Sequence, residues 1–562
     1  MKIGIYLGYS PCGKDFSLKK EGLGRYLSYL IKGFTKNKNE VVIACPRWLI
    51  DSIDELIEEQ NIPHSQVKFL VPSDMPFIYK IYLRYLDKEI KTKSKRLQKI
   101  QMVTFQLFDQ FLEIMITAKN FVSFGVVALF FLILGIISIP FVLLLLILYI
   151  IKKSFKELIY LLVGERRKQS EEKRSIKSII FKNRLIKSFG RKIRPLFDIS
   201  RIKERMRINS ANEIIRLINR MSDPMDLWYC PMAFWEEFNQ ISGIKVTCAP
   251  DLVTAEMPIN FSVLDCTTQT NDVKNTINNG KYFITYCEYL KRSLLVNKFN
   301  KSIDNIIAIP HANNDMLEFI NVKKYFKDMP LSEDANSFFC KKEVLPSLRY
   351  NAIGVKDYFD TQGPGNYAYE DMKYIFYSSQ VRPNKNIITL IKAYEYILRE
   401  KNIPIKLILT GNIKQNDSIK NYIYENRLQY DVLSFFNVTN QQLAALYMQA
   451  ELVVNPTLYE GGFPFTFGEG MSVGTPSIMS NIPQVIEVVS GYNLEDCIFD
   501  PYSYKDLAEK IIYGLENKDY IYKKQKVLYD VLAERKWEDV CRDYERAFKY
   551  FIAKERDKAC ST

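Results

Sequence analysis

Between Asn120 and Ile151 the chain carries no charged residue, and the run FVSFGVVALFFLILGIISIPFVLLLLILYII fills positions 121–151. An apolar stretch of about eighteen or more residues marks a membrane segment. No polar face interrupts this one, as a buried helix of a water-soluble core would require. At about 1.5 Å per residue the run would make a helix of roughly 47 Å, against a hydrocarbon core of about 30 Å. It is too long for one upright helix and too short for two full spans. Gly135 and the step Ser138-Ile139-Pro140 lie near its middle. Proline removes an amide donor and favours a kink or turn there.

The flanks constrain how such a segment sits. Positions 80–120 hold nine Lys and Arg against four acids, and positions 152–194 hold fifteen against four. Positive flanks stay on the cytoplasmic side, so a single span would send one of them the wrong way. A hairpin that dips in and returns satisfies both. The same flanks can lie on anionic headgroups, which accounts for much of the net charge of +14. The expectation is a protein of the cytoplasmic membrane, held there by 121–151 and its basic flanks, with its folded domains on the cytoplasmic side. Nucleic acid is the other natural partner of such charge, but no nucleic-acid motif accompanies it, and none is expected as a partner.

Outside positions 73–225 the chain reads as an ordinary folded protein. With 47% hydrophobic residues and only 23 Gly and 22 Pro, it is neither disordered nor collagen-like. Its ten cysteines are scattered without a C-x-x-C pair, which fits buried thiols rather than a zinc site or a disulfide framework. Two histidines, His64 and His311, are too few for a His-rich metal centre. No metal and no cofactor are expected. The opening run Met1–Leu7 reads as a strand rather than a secretory leader.

Short β-branched or aromatic runs alternate with amphipathic ones, the pattern of parallel sheets with helices on both faces. In the first half Lys2–Leu7, Val41–Cys45, Val67–Val71, Leu227–Cys230, Lys245–Ala249, Tyr282–Tyr286 and Ile306–Ile309 read as strands. In the second half the strands are Tyr374–Tyr377, Lys406–Thr410, Val432–Phe435, Leu452–Asn455, Ser477–Met479 and Cys497–Phe499. Helix patterns separate them, among them Gly24–Phe34, Asn386–Arg399, Glu469–Val473 and Tyr504–Leu515. The expected organisation is a Rossmann-like domain in two parts, 1–72 and 226–310, interrupted by a basic helical insert at 73–225. A linker at 311–370, a second Rossmann-like domain at 371–535 and a C-terminal helix at 536–562, packing back on the first domain, follow. Two such domains facing each other make a deep cleft.

Three stretches carry chemistry. Asn455–Met471, NPTLYEGGFPFTFGEGM, leaves a strand, runs through glycines and enters a helix. Glycines let backbone amides approach an anionic group, and a helix start adds partial positive charge. Glu460 and Glu469 bracket the loop; a carboxylate there can cap the helix or grip sugar hydroxyls as a charged acceptor. Upstream, SSQVRPNKN sets Arg382 and Lys385 at the carboxyl end of the second domain's first strand, where a diphosphate would lie. In the first domain EGLGRY gives a Gly22-x-Gly24 turn into a helix.

Together these stretches resemble the GT-B glycosyltransferases of the large retaining group called glycosyl transferase group 1, or family four. The resemblance runs over about 1–72 and 226–550, and is most specific between Asp371 and Asp500. The fold it implies is α/β: two doubly wound Rossmann-like domains facing a cleft, here with a membrane-associated insert in the first. It implies that Arg382 and Lys385 neutralise a leaving diphosphate, and that Glu469 holds the nucleotide ribose. Glu460, with Gly461, Gly462 and Phe463, would contact the donor sugar, making Glu460, Arg382 and Lys385 the catalytic set. Gly22, Gly24 and Arg25 would form the opposite wall, with Asp251 a candidate for the acceptor. The chain departs from the family in spacing its glutamates E-x8-E rather than E-x7-E. It also has Gln380 where the family's phosphate-loop arginine usually stands.

The expected function is retaining transfer of a hexose, mannose among the candidates, from a nucleotide diphosphate sugar to a lipid-linked or cell-surface polysaccharide acceptor. The rival readings are a catalytically inert scaffold of the same fold at the membrane, and a glycolipid-binding module.

Overall fold

The computed structural model describes residues 1–11, 18, 22–73, 125, 129, 199–250, 252–257, 263–325, 335–348, 372–413 and 416–561. Apart from Gly125 and Leu129, the hairpin expected at 121–151 lies outside the described residues, as does the acceptor candidate Asp251. Among the described residues, no helix is long and apolar enough to cross a membrane.

Two parallel sheets organise the molecule. The first has seven strands, β1 Lys2–Tyr6, β2 Glu40–Ala44, β3 Val67–Leu70, β4 Leu227–Cys230, β5 Lys245–Cys248, β6 Tyr282–Thr285 and β7 Ile306–Ala308, in the order β3-β2-β1-β4-β5-β6-β7. The second has six, β8 Tyr374–Tyr377, β9 Lys406–Leu409, β10 Val432–Ser434, β11 Leu452–Asn455, β12 Ser477–Ser480 and β13 Ile498–Phe499, in the order β10-β9-β8-β11-β12-β13. Each order reverses direction once, between β1 and β4 and between β8 and β11. A crevice opens at the carboxyl ends of the strands at such a switch point, and ligands of doubly wound folds bind there.

The strands are near-continuous apolar runs because both faces are covered by helices. The helix Gly22–Lys36 lays Tyr26, Leu27, Leu30, Ile31 and Phe34 on the first sheet at helical spacing, all buried. In the second domain the helix Asn440–Met448 starts at a capping box, with Thr439 and Gln442 exchanging side-chain-to-backbone hydrogen bonds at 3.2 and 3.0 Å.

Several elements differ from their sequence outline. The helix Ile199–Asn219 lies in the stretch assigned to the insert, yet its Ile214, Ile215 and Ile218 join the first domain's core. The positions expected as a linker carry helical turns whose Met316, Ile320, Val344 and Leu345 pack against Tyr374, Phe376 and Tyr447 of the second domain. The helix Lys518–Glu534 has no counterpart in the sequence outline. The helix outlined as Glu469–Val473 spans Phe465–Ser472, so Glu469 sits inside it rather than at its start. Gly468 and Gly470 do not break this helix, because each serves close packing: a Cβ at Gly470 would meet Val453 and the Thr475 carbonyl at 2.9 Å.

The final helix, Trp537–Ser561, crosses from the second domain to the first and buries Val540, Cys541, Tyr544, Phe548 and Phe551 in the first core. Cys45, Cys230, Cys248, Cys287, Cys340, Cys497 and Cys541 are buried free thiols.

Candidate active site

Two loops meet at the switch point of the second domain. One leaves β8 and runs through Arg382 and Lys385; the other leaves β11 and runs through Glu460. Asn384, buried between them, ties them together. Its Nδ2 donates to the Tyr459 carbonyl at 3.1 Å, and its own carbonyl accepts from the Leu458 amide at 2.8 Å and from Thr457 Oγ1 at 3.1 Å. Asn386, at φ 53°, then turns the first loop into the helix Ile387–Arg399, and its Nδ2 donates to the Pro501 carbonyl at 2.8 Å. Asparagine is among the few residues that adopt this left-handed conformation readily. These asparagines escaped the sequence reading; Asn-x-Asn flanking a lysine was their only signal.

This scaffold brings Lys385 and Glu460 together. Lys385 Nζ lies 2.5 Å from Glu460 Oε1, with both side chains about one-fifth exposed (20% and 19%). Arg382 stands exposed just before the turn, in extended conformation. Lys385 is thus oriented by a carboxylate while two of its three donors stay available for an anion.

Glu469 is held more tightly. Only 5% exposed, it accepts from Tyr447 Oη at 2.7 Å through Oε2 and from Asn314 Nδ2 at 3.0 Å through Oε1. Arg25 Nη1, from the first domain, lies 3.6 Å from Oε1. Burial and the neighbouring Glu469 charge push the Tyr447 phenol well above its ordinary value, so it stays a donor. Asn314 and Tyr447 were not legible in the sequence. Arg25, expected as part of the cleft wall, reaches the opposite domain's carboxylate.

The glycines explain how closely the halves approach. A Cβ at Gly461 would fall 1.9 Å from the Pro250 carbonyl oxygen of the first domain, so only glycine fits there. Gly462 faces Tyr286, and Gly24 faces the Leu18 carbonyl; Gly22 is open. Phe463 packs edge-on against Phe467 at 5.3 Å, on the helix side of the loop. Across the same seam Leu252 N donates to Tyr459 Oη at 3.0 Å. Glu487 accepts from the Glu288 and Tyr289 amides at 2.9 and 2.8 Å.

His311 lies where the chain crosses between domains. Its ring sits 3.9 Å from Tyr286 and stacks on Phe465 at 4.8 Å. Burial first, and then the Arg535 guanidinium, lower its pKa to about 3, so it is neutral at neutral pH. Among the described residues, no group of three or more His, Cys, Asp or Glu is placed to hold a metal ion.

Two doubly wound domains, with the Lys385–Glu460 pair at the switch point of the second and Glu469 held by Tyr447 and Asn314, define the class by fold. Residues 360–529 match the family described as Glycosyl transferases group 1. Over 146 residues the chain is 30% identical to O-antigen chain mannosyltransferase B of Escherichia coli, covering 26% of this chain and 37% of that protein. Over 187 residues it is 24% identical to an uncharacterized glycosyltransferase of Methanocaldococcus jannaschii, covering 32% and 45%. The chain thus spans less than half the length of the curated relatives it matches. In fold it is similar to Anabaena Alr3699/HepE in complex with UDP and glucose (TM-score 0.51, 12% identity, covering 98% of this chain and 99% of that one). It is also similar to the N-terminal domain of Candida albicans trehalose-6-phosphate phosphatase (TM-score 0.50, 10% identity, covering 98% and 96%).

Proposed function

We propose that this chain is a retaining glycosyltransferase that moves a hexose, mannose being the first candidate, from a nucleotide diphosphate sugar to a lipid-linked or cell-surface polysaccharide acceptor. The observation that carries this reading is the Lys385–Glu460 pair at the switch point of a domain that matches the group 1 family. The partial match to an O-antigen mannosyltransferase supports the hexose and the acceptor class.

Departure of the nucleotide builds negative charge on the diphosphate. Lys385, aimed by Glu460, and Arg382 stand where they can neutralise it, which is the electrostatic assistance such a step needs. Glu469, fixed by Tyr447 and Asn314, offers a preset acceptor to the donor's hydroxyls. Retention, implied by the resemblance, places the acceptor on the face that the leaving group vacates. Cations and amides carry the charge here, so the reaction is proposed to run without a metal. The uncharged run 121–151 and its basic flanks support work on a membrane-borne acceptor at the cytoplasmic face.

A screen of GDP-, UDP- and ADP-hexoses, followed by release of free nucleotide with and without polyprenyl-linked glycan, tests the proposal. Turnover of one donor, raised by the lipid-linked acceptor, is the expected result. Absence of turnover and binding for every donor would overturn it.

A further inference from the structure

One contact between the domains is made by a carboxylate on backbone. Glu487 lies on the helix Pro483–Val489, which follows β12 of the second domain. Its Oε1 accepts from the Glu288 amide at 2.9 Å and its Oε2 from the Tyr289 amide at 2.8 Å. Those two amides open the helical stretch that continues through Leu290–Lys298 in the first domain. The first N–H groups of a helix have no partner within it and carry partial positive charge. A forked carboxylate on two consecutive amides answers both needs. A helix is ordinarily capped by the side chain just before its own start. Here the capping oxygens come from 199 and 198 positions away, across the seam.

The segment held in this way touches the loop of the candidate site. Tyr286 and Cys287 immediately precede the clamped amides. A Cβ at Gly462 would meet Tyr286 Cβ at 3.0 Å, and Cys287 Sγ lies 3.8 Å from the Gly461 carbonyl oxygen. Gly461 and Gly462 directly follow Glu460, which orients Lys385. The other hydrogen bond of this seam, from Leu252 N to Tyr459 Oη, is between neutral groups. Hydrogen bonds to an ionised group are roughly twice as strong, so the Glu487 pair is the stronger tether. The Glu288 carboxylate does not oppose it, being engaged by Lys291 and Arg292 of its own helix at 3.5 and 3.0 Å.

We infer that Glu487 is a positioning residue, an interdomain latch. By capping the first domain's helix it holds Tyr286 and Cys287 on Gly461 and Gly462, and so fixes the loop that sets Glu460 against Lys385. It acts through backbone amides and the loop, and not on the reacting atoms. Its effect on turnover rests on the glycosyltransferase reading; the latch itself rests on geometry alone. Glu487 is exposed, so its replacement leaves the core of the second domain in place.

Two measurements on the full-length wild type, Glu487→Gln and Glu487→Ala test the inference. Hydrogen exchange read by mass spectrometry follows the segments 286–290 and 460–463. Both should exchange about ten-fold faster in Glu487→Ala, the scale of one charge-assisted hydrogen bond. The change should be smaller in Glu487→Gln, which keeps one acceptor oxygen and serves if the alanine variant fails to fold. Release of nucleotide from GDP-mannose and UDP-glucose follows turnover. Here kcat should fall by about the same ten-fold in Glu487→Ala, while the Kd for free GDP or UDP stays at the wild-type value, because Arg382, Lys385 and Glu469 are untouched. Unchanged exchange in both segments would overturn the latch, whatever the turnover. Faster exchange with wild-type kcat, or with nucleotide affinity lost in step with kcat, would overturn the positioning role. A wild type that binds neither nucleotide and turns over neither sugar would sink the glycosyltransferase reading instead, and exchange would still decide the latch.

Discussion

Lys385 and Glu460 form the pair whose removal should be most visible in turnover. On the proposed reading, Lys385→Ala should remove a charge-assisted contact to the departing diphosphate, worth about 2–4 kcal/mol, or roughly 30–1000-fold in rate. Arg382→Ala should act in the same direction, and wild-type steady-state rates for both variants would remove the phosphate role. The glutamates should respond unequally. Glu469→Gln leaves one acceptor oxygen where Tyr447 Oη and Asn314 Nδ2 both donate, so one of them faces an amide donor. Glu460→Gln disturbs only the half-buried contact with Lys385. Nucleotide titration should therefore rank Glu469→Gln as the weaker binder. His311 gives a pH prediction. Its folded pKa, near 3, lies below the usual 6.5, so the unfolded chain binds the extra proton between those values. Stability should be fully present above pH 6.5 and fall as the pH drops, by at most about 1.4 kcal/mol per pH unit from this one group. Urea midpoints at pH 5 and 7 should differ less for His311→Phe than for the wild type. At this scale the sequence was legible where charge and glycine coincide in one stretch, as at Glu460–Glu469. It was mute where partners come from afar: Asn314 lies 155 positions from Glu469.

At the scale of elements, the first helix and the last hold the first domain together. Tyr544 brings its hydroxyl to Tyr26 and lies 3.4 Å from Tyr229 Oη. Burial drives all three phenols well above their ordinary pKa, so the cluster is uncharged. Gly33 is the contact point: a Cβ there would fall 2.1 Å from Cys541 Sγ. Gly33→Ala should destabilise the protein by about 1–3 kcal/mol through overpacking. Cys541→Ala in the same chain should restore part of it, a non-additivity that a double-mutant cycle on denaturation midpoints would measure. Additive losses would show that the helices do not meet there. Strands were well placed from sequence because each is a short buried run bounded by turn residues. The helix Phe465–Ser472 was started too late because glycines usually interrupt helices, whereas Gly468 and Gly470 serve close packing. The helix Lys518–Glu534 escaped because only Ile521, Gln525 and Leu528 are buried on it, too thin a stripe to announce a period.

At the scale of the molecule, strand pairing decides how the uncharged run can be accommodated. β1 lies between β2 and β4, with Ile3 opposite both Val41 and Leu227. The chain on either side of the long insertion thus builds one sheet, and both ends must lie in the same compartment. A segment leaving and rejoining that sheet crosses a bilayer an even number of times or dips and returns. With basic residues on both flanks, the proposed arrangement is a hairpin with Lys119 and Lys152 both cytoplasmic. Single cysteines at Asn120 and Ser154, probed with a membrane-impermeant maleimide in intact and permeabilised cells, should label only after permeabilisation. Labelling of one site in intact cells and the other only after permeabilisation would refute the hairpin and could not be reconciled with a single sheet built from both flanks. Deleting about residues 100–165 should release a more soluble protein that still binds nucleotide sugar, since both carboxylates and Lys385 lie elsewhere. The same deletion should slow transfer to a lipid-linked acceptor while sparing a water-soluble glycan of equal length, because only the first needs the enzyme held at the bilayer.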